Sequence, residues 1–208
     1  MVHWILPETR QATGATLGQE HVRGLRDELC LRPAASFGAF ETVILDYSGI
    51  EHLNGSYFRA TYVWLFNCGR RAALDLGEDE SNDPWREVPL PVVPFVTGLG
   101  NDVRAEFELY LPAIEAPCLE ALDWNEEEVA CARVLKKLEP TLIRTLRILS
   151  ADHPKTAGEL CDAHPEEKVN LTAWNNRLME LYRLRLAVRE KQGRQWLYRP
   201  VFQMLEEN

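Results

Sequence analysis

Leu171-Thr172-Ala173-Trp174-Asn175-Asn176-Arg177-Leu178-Met179-Glu180-Leu181-Tyr182-Arg183, continuing as Leu184-Arg185-Leu186-Ala187-Val188-Arg189, changes its apolar period part-way along. Leu171, Trp174, Leu178 and Leu181 recur at the spacing of one helix face. From Leu184 onward every second residue is large and apolar, which predicts a strand. Glu190-Lys191-Gln192-Gly193-Arg194 then leads into Gln195-Trp196-Leu197-Tyr198-Arg199, a second β-prone run. Two such runs about a glycine-containing turn predict a β-hairpin.

Upstream, Leu142, Ile143, Leu146 and Leu149 mark a helix opened by Pro140, whose missing N–H costs nothing in a first turn. His153-Pro154 breaks it. Thr156-Ala157-Gly158-Glu159 has capping-box spacing, so a second short helix is expected, anchored by Leu160 and stopped at His164-Pro165. Asn170 or Thr172 can cap the third. Three helices feeding a hairpin resemble the winged helix-turn-helix family over about sixty residues, within 140–208. The resemblance implies that the third helix meets a DNA groove and the hairpin meets the flanking backbone.

Charge distribution agrees with that implication. The chain of 208 residues carries 23 Lys and Arg against 32 Asp and Glu, a net −9. Residues 139–208 hold 11 of the basic and 10 of the acidic side chains, leaving 12 against 22 for 1–138. Within 171–200 the count is seven against two. Positive charge therefore gathers on the third helix and hairpin, where phosphates would lie, while the acidic remainder is repelled by DNA. Cys30, Cys68, Cys118, Cys131 and Cys161 are scattered without a C-x-x-C pair. An odd number of thiols with no leader peptide points to a reducing, cytoplasmic setting. No apolar run reaches the ~20 residues of a membrane span.

The N-terminal half alternates strands and helices, an α/β layer pattern. Val2-His3-Trp4-Ile5-Leu6, Thr42-Val43-Ile44-Leu45 and Pro94 to Leu99 are predicted strands. Helix faces are marked by Val22, Leu25 and Leu29, by Phe58, Tyr62, Leu65 and Phe66, and by Val103, Phe107, Tyr110 and Leu111. The segment Val43-Ile44-Leu45-Asp46-Tyr47-Ser48-Gly49-Ile50, with Asn54-Gly55-Ser56 at a helix start, resembles the STAS-like domains related to anti-sigma-factor antagonists. In that family the first serine of the matching triplet is phosphorylated; here that position is Gly55. Ser56, the second position, is either a helix cap or a phosphate or partner contact. Asn125-Glu126-Glu127-Glu128 at a helix N-terminus, followed by Val129, Ala132, Leu135 and Leu138, predicts a connecting helix over 123–139.

The expected organisation is thus a STAS-like α/β domain over 1–122, that connecting helix, and a mainly α winged-helix domain over 140–208 made of three helices and a β-hairpin. The outward residues proposed to contact DNA are Thr172, Asn175, Asn176, Arg177, Met179 and Arg183 on the third helix, and Lys191, Arg194 and Gln195 on the hairpin. Asn176 suits adenine and Arg183 suits guanine or a phosphate. A homodimer is expected, since a single winged helix covers little DNA. The rival expectation is a protein–protein adaptor in a bacterial signalling or defence system that never meets DNA. A third reading makes the acidic half, with its Glu78 to Asp83 loop, a nucleic-acid mimic. No cofactor, metal or catalytic role is expected: the histidines lack H-x-x-x-H spacing, and no P-loop, G-x-S-x-G or G-x-G-x-x-G occurs. Asp46 with His52 and Ser56 invites a triad reading, but polar residues at strand ends and in loops are far more often caps and turn formers.

Overall fold

The computed structural model describes residues 1–32, 40–68, 91–114, 117–135, 138–149 and 153–206. They fall into two units, Met1–Leu122 with Val134–Lys136, and Asp123–Arg133 with Lys137–Asn208. Both mix helix and strand.

In the first unit the elements run β1 (Val2–Ile5), β2 (Thr9–Ala12), α1 (Ala15–Cys30), β3 (Glu41–Asp46) and β4 (Ile50–Leu53). A helical run α2 follows, composed of Gly55–Phe58, a π-helical stretch Arg59–Val63 and Trp64–Asn67. Then come β5 (Val92–Thr97), α3 (Asn101–Tyr110) with a 3-10 turn at Leu111–Ile114, and β6 (Leu119–Trp124). β3 pairs in parallel with β1 on one side and β5 on the other, and β5 pairs in parallel with β6. Val43, Ile44 and Leu45 are wholly buried and all six residues of β5 are buried. Such continuous apolar runs suit central strands of a parallel sheet covered on both faces. Val22, Leu25 and Leu29 of α1, Tyr57, Phe58, Tyr62 and Leu65 of α2, and Val103 and Phe107 of α3 fill the core against them. Between Asp46 and Gly55 lies β4, which pairs in parallel with β2.

The second unit contains most of β7 (Val129–Val134), then α4 (Pro140–Ile148), α5 (Ala157–Ala163), α6 (Leu171–Arg183), β8 (Ala187–Gln192), β9 (Gln195–Pro200) and β10 (Met204–Leu205). β8 and β9 are antiparallel, and Lys155 adds an antiparallel bridge to Tyr198 on β9. α6 packs on α4 and α5, burying Trp174, Leu178 and Leu181 completely. Leu142, Thr145 and Leu146 of α4 and Leu160 of α5 are also buried. β10 pairs in parallel with β7, reinforced by an Arg133–Glu206 ion pair and by Gln203 donating to Glu128.

The expected helix over 123–139 is corrected. Residues 123–134 form the end of β6, a turn and β7. Asn125 is not a helix cap: its Oδ1 accepts the N–H groups of Glu127 (2.8 Å) and Glu128 (3.1 Å), and its own N–H reaches Glu128 O at 3.0 Å. That is a closed Asx turn, and it reverses the chain instead of starting a helix.

Candidate nucleic-acid interface

Asn170 opens α6 by accepting the N–H of Ala173 at 2.9 Å, leaving Thr172 uninvolved as a cap. The helix closes on Arg185, which sits in the left-handed region at φ 59°. Leu186 N–H bonds Leu181 O (2.9 Å) and Arg185 N–H bonds Tyr182 O (3.0 Å), the two bonds of a Schellman cap. Leu184, Arg185 and Leu186 are therefore spent turning the chain, and β8 begins at Ala187, three residues later than the alternation suggests. β8 and β9 meet at a two-residue turn, Gly193-Arg194, in which Gly193 takes φ 62° and lets Arg194 stand at the tip. The expected cap before α5 is present in full. Thr156 Oγ1 accepts from Glu159 N (3.1 Å), and the Glu159 carboxylate accepts from Thr156 N (2.7 Å), which holds the Glu159 carboxyl below its ordinary range.

Thr172, Asn175, Asn176 and Arg183 on α6 are exposed, as are Lys191, Arg194 and Gln195 on the hairpin. Asn175 is the least available of the first group, because its Nδ2 donates back to Leu171 O at 3.1 Å. Arg183 keeps 63% of its side chain exposed, with Glu180 at 3.9 Å one turn before it. Two sequence-derived candidates are committed elsewhere. Arg177 lies over the Trp174 ring at 5.3 Å and faces the buried carboxylate of Glu167 at 3.9 Å, which also pairs with Arg144 of α4. Met179 is half-buried, and its Sδ accepts from Arg189 at 3.7 Å. Leu171, expected in the apolar stripe, is 51% exposed because it lies in the opening turn, ahead of the packed face.

Sequence reasoning overlooked Arg189. Its guanidinium lies 4.3 Å from the Tyr182 ring centre and 4.0 Å from that of Trp196, so it joins the end of α6 to the hairpin. The signal was available: Trp196 pairs with Lys191, placing it diagonal to Arg189 across the two strands. Lys191 sits 5.9 Å from the same indole. Through its contact with Tyr182, Arg189 ties the hairpin to α6 within this unit.

In the first unit, Ser56 is exposed but does not cap α2. Asn54 does so, its Oδ1 accepting from Tyr57 N (3.0 Å) and from Gly14 N (3.2 Å). Asp46, His52 and Ser56 are not brought together. Asp46 takes bonds from Ser48 N (2.8 Å) and His3 (3.1 Å), while His52 faces Asp102 at 3.5 Å. Burial pushes the Asp46 carboxyl up, but the Ser48 and His3 hydrogen bonds outweigh it and leave it below the ordinary value. Among the described residues no group of three or more His, Cys, Asp or Glu is placed to hold a metal ion, and no helix is long and apolar enough to cross a membrane. The acidic loop from Glu78 to Asp83 lies outside the described residues. No protein-family model, no curated protein and no solved structure matches the chain.

Proposed function

We propose that the protein is a DNA-binding regulator of the bacterial cytoplasm. In this reading 140–208 is a winged helix-turn-helix that lays α6 in the major groove of duplex DNA. The first unit is a STAS-like module for binding a protein partner or a second copy. One observation carries the proposal. Thr172, Asn176 and Arg183 on α6, and Lys191, Arg194 and Gln195 at the hairpin turn, are all exposed within one unit and include three cations. Around them the core of Trp174, Leu178 and Leu181 fixes which face of α6 points out.

In such a docking Asn176 reads a base edge, Arg183 grips guanine or phosphate, and Thr172 meets a phosphate near the helix start. Lys191 and Arg194 neutralise flanking phosphates. Arg177 and Met179 act as supports here: one locks the turn before α6 through Glu167, and the other seats Arg189. Mobility-shift titration of a random-sequence duplex with the wild-type chain and with Arg183→Ala plus Arg194→Ala tests the assignment. The wild type should retard the duplex and the double variant should not; equal retention by both would reject those residues as contacts.

The adaptor reading has one observation in its favour. Leu171 exposes half its surface at the mouth of α6, where an apolar side chain suits a protein partner better than a phosphate. Leu171→Ser separates the two readings. It leaves DNA retention unchanged in the first and weakens capture of the partner in the second.

A further inference from the structure

The first unit contains a cavity of about 320 Å³ beside the start of α2, and nothing in the reading of α6 uses it. Its lining combines apolar and polar residues. Phe58 is 1% exposed and is held by Phe107 and Tyr110, with ring centres 5.0 and 5.7 Å away. Ala113 and Ile114 complete the apolar side. The Tyr110 ring lies against the backbone of Gly55. A Cβ at Gly55 would stand 3.1 Å from the Tyr110 ring, so any side chain there would push the wall outward.

The polar lining residues are Asn54, Ser56 and Arg59. Asn54 is occupied in capping, whereas the Ser56 hydroxyl and Arg59 guanidinium are exposed, and among the described residues neither has a partner. Among the described residues Arg59 is the sole charged residue of the lining. It is also the first residue of the π-helical stretch, where the wider turn re-aims side chains, a distortion frequent at functional sites. A single cation beside apolar lining residues complements a monoanion with an apolar body. The volume lies at the lower end of the ~300–1,000 Å³ range of small-molecule sites.

We propose that this cavity binds a small organic monocarboxylate. The carboxylate sits on Arg59 and the Ser56 hydroxyl, and the hydrocarbon portion lies against Phe58, Tyr110, Ala113 and Ile114. The inference does not rest on DNA binding and survives its failure.

Ligand-observed NMR and calorimetry on the full-length protein test it, with phenylacetate and octanoate as probes and phenylacetamide as the neutral control. At least one acid should bind in the millimolar range or tighter, and phenylacetamide roughly tenfold or more weakly than phenylacetate, since only an ionised head gains the charge-assisted bonds. Arg59→Gln should lose a similar factor, and Ala113→Trp, which fills the cavity, should abolish binding. Because Arg59 is exposed, its variant should keep the wild-type urea midpoint, so a loss of binding reports on the site and not on folding. Absence of binding by both acids, equal affinity for the amide, or unchanged affinity in folded Arg59→Gln would each overturn the proposal.

Discussion

Replacing Arg189 by alanine should loosen the hairpin from α6, and the cost can be worked from the contacts. The guanidinium lies 4.3 Å from the Tyr182 ring centre and 4.0 Å from the Trp196 ring centre, and the residue is half-buried. A cation–π contact contributes about 0.5–1 kcal/mol at an exposed site and about 2 kcal/mol when desolvated, so two half-buried ones amount to about 1–3 kcal/mol. Arg183→Ala is the internal control. Arg183 is 63% exposed and meets Glu180 at 3.9 Å, a pair on one helix that contributes at most about 0.5 kcal/mol. With a urea slope of about 1–3 kcal/mol per molar, the Arg189 variant should lose about 1 M in midpoint, and the Arg183 variant a few tenths at most. Arg189→Lys should fall between wild type and alanine, because it keeps the charge but not the planar stack. The transition is followed by tryptophan fluorescence, to which Trp196 is one of six contributors. A midpoint shift for Arg189→Ala no larger than for Arg183→Ala would refute the reasoning.

Three further outcomes are expected. Thr156→Ala removes one half of the capping box before α5 and should cost about 1 kcal/mol by chemical denaturation, whereas Thr172→Ala, which caps nothing, should cost less than about 0.5 kcal/mol. Asp46 has a carboxyl held below its ordinary value of 3.8 in the folded chain, so it stabilises the fold above that value and ceases to do so as pH falls through the lower, folded one. Stability measured from about pH 5 down to about pH 2 should therefore fall less steeply in Asp46→Asn than in wild type. Leu160→Ala, at a position 1% exposed under α6, should cost about 2–5 kcal/mol, checked by the same urea titration.

The order of elements was readable where periodicity and local capping agreed. Thr156 and Glu159 form the box their spacing implies, Asn170 caps α6, and Val43-Ile44-Leu45 is the buried central strand that a continuous β-branched run suggests. Residues 123–139 misled because two local structures use the same chemistry. An Asn whose side chain accepts backbone N–H groups two and three residues on is found both at helix starts and in Asx turns. Val129, Ala132 and Leu135 kept helical spacing by coincidence, while Val129, Ala132 and Val134 are the positions that strand β7 buries. For the candidate site, exposure followed from the helix wheel, so Asn176 and Arg183 were legible. What was not legible were the tertiary commitments of Arg177 and Met179. Each depends on a residue distant in sequence, Glu167 in one case and Arg189 in the other, and no helical period encodes either.

Salt dependence of duplex binding tests the central claim most directly. Fluorescence anisotropy of a labelled duplex, titrated with the full-length chain from about 50 to about 200 mM salt, should give affinity falling linearly on a log–log plot, by about 0.9 in slope per phosphate contact. Arg194→Ala and Lys191→Ala should each reduce the slope by about one while leaving the fold intact. No retention of the duplex even at the lowest salt would contradict the account, as would a slope indifferent to both substitutions.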